Sequence, residues 1–291
     1  MRDSRFEIPL DDSAYPAILR ASPDPPERLY VIGNPECLRP GVAVIGARKA
    51  TPYGLSAATM LAGWAARSGY LVVSGGAIGC DQAAHRAALT HGSTTVAVMA
   101  GGADVSYPSG ATALLREIAG SGALISENPW GTRPQRWMFR KRNRIIAGMC
   151  AAVLVVEAGL PSGTFSTADD ALAAGREVFA VPGSILSPES RGSNRLISQG
   201  ATMITDPTDL MLALSPLLGQ PVCVVLPDDS EGTAIADELL RAVRANPMRP
   251  EDAAHALGLD VVSVVRRFGA LEMCGDVIRY PDGRYGASVR G

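Results

Sequence analysis

Three glycines lie within five residues, at Gly75, Gly76 and Gly79, directly after the apolar run 71–73. A buried strand that leads into a glycine-rich turn and then a helix directs backbone N–H groups towards an anion, and phosphate is the natural ligand. Glycine lets the main chain approach a ligand closely, and the Ser74 hydroxyl adds a donor. The pattern is not the dinucleotide fingerprint G-x-G-x-x-G, so the alternative is a tight turn that needs positive φ.

Two further turns carry groups that suit an anionic ligand. Arg48 and Lys49 follow an apolar run and stand before a predicted helix, which Thr51 caps and Pro52 begins. A second turn with hydroxyl groups follows a later apolar run and consists of Ser162, Gly163 and Thr164. The alternative for the two cations is a pair of solvated surface charges.

The densest positive charge lies in residues 133–144, where six basic residues and no acidic one are interleaved with Trp137 and Phe139. Aromatic rings among arginines suit single-stranded nucleic acid, because bases stack on rings while phosphates pair with guanidinium groups. The alternatives are a solvated helix face and, for the two rings, anchors in the core. The candidate ligand residues of this run are Phe139, Arg140, Lys141, Arg142, Asn143 and Arg144.

These groups need a scaffold that places them together. Apolar runs predict strands at 42–46, 70–74, 94–99, 123–126, 151–157, 178–181 and 201–204, and helical spacing occurs at 52–67, 80–90, 109–119 and 164–175. Strands that alternate with helices predict a mainly parallel sheet, hence an α/β, Rossmann-like three-layer domain over residues 41–214. Ligands of such sheets bind beyond the carboxyl ends of the strands, where the loops described above are expected to meet.

The flanking segments differ in character. Residues 1–40 are rich in proline and predict an irregular lead-in with one short candidate strand at 29–33, and the proline-rich, acidic segment 215–232 predicts a linker. Residues 233–291 predict three short helices and a hairpin, which together suggest a small winged-helix-like domain. Seven acids against five arginines in residues 231–275 argue against strong duplex binding and leave a protein-contact role open.

Composition limits the classes of function. The chain has 291 residues, 47% of them hydrophobic, and a formal net charge of −2, so any affinity for nucleic acid must come from a local patch. Five dispersed cysteines without clustered histidines predict a reducing environment and no structural zinc. No apolar run approaches the length of a membrane span and the N-terminus lacks a signal-type run, which predicts a cytoplasmic protein without membrane contact.

The motifs occur in an order that resembles one known family, the DNA-processing protein A (DprA/Smf) family, over roughly residues 15 to 214. The matching motifs are GARKATPYG at 46–54, SGGAIGCD at 74–81, YP at 107–108, SE at 126–127, RNRIIAG at 142–148, VEA at 156–158 with SGT at 162–164, AVPG at 180–183 and GSNRLI at 192–197. Ala47, Cys80, Arg140 and residues 165–166 depart from the family pattern and affect the shape and charge of the groove.

The resemblance implies an extended Rossmann domain that binds single-stranded DNA without sequence preference and delivers it to the RecA recombinase during natural transformation. It also implies a homodimer formed through the sheet edge late in this domain. The resemblance places in the DNA groove Arg48, Ser74, Gly75, Gly79, Lys141, Arg142, Arg144, Ser162, Gly163 and Thr164, and the turns and the basic run add Lys49, Gly76, Phe139, Arg140 and Asn143.

An enzyme is the alternative from a different class. Asp81 and His85 share a helical face, and Glu157 ends an apolar run. Phosphoribohydrolases of a similar fold carry P-G-G-x-G-T-x-x-E, but no glutamate stands three residues after Thr164 here. The prediction is therefore a binder that is not an enzyme and needs no cofactor; nucleoside-monophosphate hydrolysis and a nucleotide-binding sensor remain the alternatives.

Overall fold

The computed structural model describes residues 4–219, 234–274 and 276–288. The chain divides into two compact units, residues 1–224 and 225–291. No helix in the described part of the chain is both long enough and apolar enough to span a membrane.

The first unit is built on a nine-stranded sheet. Its strands are β1 (Arg5–Pro9), β2 (Arg28–Gly33), β3 (Gly41–Ile45), β4 (Leu71–Ser74), β5 (Thr95–Val98), β6 (Ala123–Ser126), β7 (Cys150–Val155), β8 (Glu177–Ala180) and β9 (Thr202–Met203). Their order is β1-β2-β6-β5-β4-β3-β7-β8-β9, and the seven strands from β3 to β9 are mutually parallel. The predicted parallel, Rossmann-like sheet is confirmed.

The lead-in is not irregular. Strand β2 pairs antiparallel with β6, and β1 pairs antiparallel with β2, so residues before 40 extend the sheet by two strands. Ile8, Leu29 and Val31 bury their side chains in the core. The prolines of this segment make it read as irregular in the sequence. Pro9 is nevertheless compatible with β1, because it ends an edge strand, where a missing N–H is tolerated.

Helices cover both faces of the sheet. They are α1 (Ala17–Arg20), α2 (Pro52–Arg67), α3 (Cys80–Thr90), α4 (Thr112–Ser121), α5 (Arg136–Gly148), α6 (Thr164–Ala173), α7 (Arg191–Ser198) and α8 (Pro207–Leu218). Along β3, Val42 and Val44 pack towards α2, α3 and α8, whereas Ala43 and Ile45 pack towards α5 and α6. This alternation produces the three predicted layers.

The strand order reverses direction at β3. The chain builds outwards through β4, β5 and β6 on one side of β3 and through β7, β8 and β9 on the other. Adjacent loops after β3 and β7 therefore leave in opposite directions and open a crevice at the carboxyl ends of the two strands, the place where open α/β sheets bind ligands.

The second unit contains α9 (Ala234–Ala245), α10 (Pro250–Leu257) and α11 (Val261–Cys274), followed by an antiparallel hairpin of β10 (Val277–Arg279) and β11 (Tyr285–Ala287). The rings of Phe268 and Tyr285 stack at 4.5 Å in its core. These are the three helices and hairpin predicted for a winged-helix-like unit. Of the predicted linker 215–232, residues 215–218 belong to α8, and residues 220–232 lie outside the described residues.

Candidate nucleic-acid interface

A cleft of about 480 Å³ opens at the reversal point of the sheet. Its walls come from the loops after β3 and β7, one face of α5 and the start of α6. Eight of the predicted site residues line it: Arg48, Phe139, Arg140, Arg142, Asn143, Ser162, Gly163 and Thr164.

Arg48 and Phe139 come from separate elements and meet at this cleft. The guanidinium carbon of Arg48 lies 5.1 Å from the centroid of the Phe139 ring, which is the geometry of a cation–π contact. Arg48 is exposed, so its charge remains available to a ligand. Lys49 is also exposed but is not part of the cleft wall.

Glu157 fixes the turn that carries Arg48. Its carboxylate is almost fully buried and accepts hydrogen bonds from the Thr51 N–H at 2.8 Å and from the Thr51 hydroxyl at 2.5 Å. Burial raises the pKa of Glu157, and the two bonds from Thr51 oppose that rise. Because Thr51 also caps α2 by accepting from the Gly54 N–H, Glu157 is a structural support of this loop.

The glycine turn already contains an anion of the protein itself. The Asp81 carboxylate, from the first turn of α3, accepts hydrogen bonds from the N–H groups of Gly75 at 3.1 Å and Ala77 at 3.3 Å. The Gly75 amide thus already has an acceptor within the protein, and its contact with a phosphate stays a prediction. The alternative of a turn that requires positive φ is correct, because Gly76 has φ +68° and Gly79 has φ +93°.

Ser74 is also placed differently from the prediction. Its side chain is completely buried, and its hydroxyl donates to the Val44 carbonyl at 2.7 Å. The hydroxyl joins β4 to the neighbouring strand β3. Because β4 is covered on both faces, a side chain near its end points into the core, and Ser74 does not reach a ligand.

Arg142 lies at the floor of the cleft rather than on its open wall. Only 5% of the residue is exposed, and its Nη1 donates to the carbonyl of Gly75 at 2.8 Å and to the carbonyl of Val98. Burial lowers the pKa of Arg142 to about 10, and the nearby charge of Asp81 opposes that shift. Arg142 thus ties α5 to the ends of β4 and β5, which corrects its predicted role as an exposed phosphate ligand.

The close approach of Arg142 explains why residue 75 is glycine. A Cβ at Gly75 would lie 2.5 Å from both terminal nitrogens of Arg142. We expect Gly75→Ala to reduce the free energy of unfolding by about 1–3 kcal/mol, the usual cost of overpacking. The measurement is urea unfolding followed by circular dichroism.

Gly163→Ala is the matched control for that substitution. A Cβ at Gly163 meets open space, and its backbone φ of −65° suits alanine, so we expect a gain of about 0.4–1 kcal/mol in stability. Equal stability of the Gly75→Ala variant and the wild type would contradict the packing described here.

Helix α5 divides the basic run between two surfaces. Arg136, Phe139, Arg140 and Asn143 follow helical spacing and line the cleft. Lys141 and Arg144 instead form ion pairs with Glu127 at 2.8 and 2.9 Å, and Arg144 also pairs with Asp24 at 2.6 Å. Lys141 and Arg144 thus lie outside the cleft wall, because a helix turns about 100° per residue and separates neighbouring side chains, and their contact with DNA stays a prediction.

The cations of the cleft are available to an external anion. Arg48, Arg136 and Arg140 form no ion pair within residues 4–219, in contrast to Lys141 and Arg144. Arg136 is absent from the predicted site. Its spacing of three and four residues from Phe139 and Arg140 is the signal that could have identified it. Trp137 is exposed on the same helix but does not line the cleft.

The start of α6 forms the opposite wall. The Ser162 hydroxyl donates to the Thr164 hydroxyl at 2.9 Å and accepts from the Thr164 N–H at 3.2 Å. Asn143 donates to the Ser166 hydroxyl at 3.0 Å and so connects α5 to α6. The positive end of the α6 dipole therefore faces the same space as the arginines.

These features define a Rossmann-like protein with an open, basic and partly aromatic cleft at the reversal point of its sheet. The sequence profile of the DNA recombination-mediator protein A family matches residues 7–215, and the chain belongs to this family.

Individual relatives agree with this membership. A Mycobacterium tuberculosis relative that carries the name DNA processing protein DprA is 50% identical over 169 residues, which cover 58% of this chain and 43% of the relative. The match thus spans less than half of that relative's length. The crystal structure of DNA processing protein A from Streptococcus pneumoniae has a TM-score of 0.69 at 38% identity and covers 72% of this chain and 74% of its own.

A second solved structure adds information on a ligand of a relative. DNA processing protein A from Helicobacter pylori, described for its single-stranded DNA binding mode, has a TM-score of 0.66 at 30% identity. The similarity covers 74% of this chain and 97% of that one.

Proposed function

We propose that the protein binds single-stranded DNA in the cleft between the loops after β3 and β7, without catalysis and without a cofactor, and hands the strand to a RecA-type recombinase. The observation that carries the proposal is the contact of Arg48 with Phe139 beside Arg136 and Arg140, two arginines that form no ion pair within residues 4–219. The Helicobacter pylori relative, whose structure concerns single-stranded DNA, supports this choice of ligand.

The chemistry of the cleft favours contacts that every nucleotide offers. Guanidinium groups and the α6 N-terminus attract phosphates, and the Phe139 ring presents an apolar surface to bases. Asn143, an amide that could read a base edge, is engaged by Ser166. The cleft therefore favours binding without sequence preference, driven mainly by charge.

The candidate catalytic groups are engaged in structural contacts. Glu157 is held by Thr51, and Asp81 is held by the glycine turn. Thr167, at the position of the hydrolase glutamate, is buried. These contacts support a binder over a nucleoside-monophosphate hydrolase.

We further propose that two copies associate through the edge of the sheet at β9. Ile185 and Leu186, in the segment between β8 and α7, are 85% and 86% exposed, and Met203 of β9 is half exposed. Exposed apolar residues beside an edge strand suit a protein contact. A dimer would present two clefts to one strand and raise the affinity through multivalency.

The first test is a titration of a fluorescent oligothymidine and of its duplex form with the purified protein. We expect the single strand to bind more tightly, because unpaired bases can stack on Phe139 whereas paired ones cannot. Incubation with nucleoside monophosphates is expected to release no base. Preference for the duplex, or release of free base, would contradict the proposal.

A further inference from the structure

Tyr107 is an exposed aromatic residue that lies outside the cleft wall. It lies in the segment between β5 and α4 and is 47% exposed. Its ring centroid is 5.3 Å from that of Phe139, with an angle of 55° between the ring planes. Within residues 4–219 its hydroxyl has no side-chain or backbone hydrogen-bond partner, so packing against Phe139 positions the ring.

Arg48, Phe139 and Tyr107 form one contiguous cluster, because Arg48 and Tyr107 both contact the Phe139 ring. The Arg48 guanidinium carbon lies 5.1 Å from the Phe139 centroid, and Tyr107 packs against the same ring. Phe139 is consequently partly covered by both neighbours, whereas nearly half of Tyr107 is open to solvent. Tyr107 therefore adds accessible aromatic surface beside the partly covered ring of Phe139.

We propose that Tyr107 stacks on a nucleobase and extends the single-stranded DNA path beyond the cleft. The proposal rests on the proposed function and deepens it, since it adds a second base-stacking ring beside Phe139. Tyrosine suits this role because its large, rigid ring stacks on any base at low entropic cost, while its hydroxyl stays in water.

The test compares two ligands of equal charge, a fluorescent 20-nucleotide oligothymidine and an abasic oligonucleotide of the same length. Tyr107→Ala and Tyr107→Leu should weaken oligothymidine binding roughly 5- to 150-fold, which corresponds to the loss of about 1–3 kcal/mol for one stacked base. Both variants should bind the abasic strand within about twofold of the wild type, because phosphate contacts persist. Tyr107→Phe should resemble the wild type with both ligands.

Two controls separate stacking from structural support. Tyr107→Leu retains apolar bulk against Phe139, so it tests the ring if the alanine variant fails to fold. Trp137→Ala removes an aromatic residue that is 55% exposed on α5 and outside the cleft wall, and it should change neither affinity.

Other outcomes would overturn the proposal. Equal losses on both ligands would show that Tyr107 acts by supporting Phe139 or the fold, and unchanged oligothymidine binding would show that it takes no part. If the wild-type protein fails to bind oligothymidine at all, the proposed function and this inference both fail, whereas normal wild-type binding with unaffected variants removes only the inference.

Discussion

Arg142→Ala is expected to destabilise the Rossmann-like unit by about 2–6 kcal/mol, because two buried carbonyls each lose their donor at a cost of about 1–3 kcal/mol. The substitution leaves Asp81 buried without its cationic neighbour and leaves the carbonyls of Gly75 and Val98 without a donor. It also opens a gap beneath α5. Urea unfolding, followed by circular dichroism, measures the change.

Lys141→Ala is the control on the neighbouring position. The Lys141 side chain is about half exposed and pairs with Glu127 at the surface, so its removal is expected to cost no more than about 1 kcal/mol. An Arg142→Ala variant with wild-type stability and weakened DNA binding would contradict this structural role. It would indicate instead that Arg142 contacts DNA directly.

The double substitution Arg48→Ala and Arg140→Ala is expected to have the largest effect on DNA affinity. Each loss of a charge-assisted hydrogen bond to phosphate costs about 1–3 kcal/mol, so the pair should cost about 2–6 kcal/mol if the two contributions add. Folding stability should change little, because both side chains are exposed and form no ion pair within residues 4–219. Fluorescence anisotropy with oligothymidine measures the affinity.

The salt dependence of binding provides an independent readout of the same substitutions. The slope of log affinity against log salt should fall by about 0.7 for each phosphate contact removed from a single strand. Lys141→Ala is again the matched control, since it removes a cation from the same helix without touching the cleft. An equal loss of affinity in the control variant would show that net charge, and not the cleft, governs binding.

The sequence predicts the scaffold well because its signals are local. Apolar runs mark the strands from β3 onwards, and Thr51 with Pro52 marks the start of α2, as the structure confirms. Strand β1 escapes prediction because it is short, exposed over most of its length and closed by Pro9. The pairing of β2 with β6 joins segments about ninety residues apart, and no local pattern reveals such a contact.

The sequence predicts the site less completely because the partners of a side chain come from distant segments. Lys141 and Arg142 are adjacent in the chain, yet one pairs with Glu127 at the surface and the other binds the Val98 carbonyl in the interior. Composition indicates that the segment is basic. Only the helical geometry and the neighbouring strands determine which cations remain available.

The carboxylate of Asp81 in the glycine turn affects how well free nucleotides can compete with DNA for the protein. A free nucleotide binds chiefly through its compact, multiply charged phosphate group, and the turn that would suit this group holds an internal counter-ion instead. A polymer engages guanidinium groups spread along an open surface and gains affinity from many weak contacts at once. We therefore expect free nucleotides to compete weakly with single-stranded DNA for this protein, because Asp81 occupies the amides of the turn.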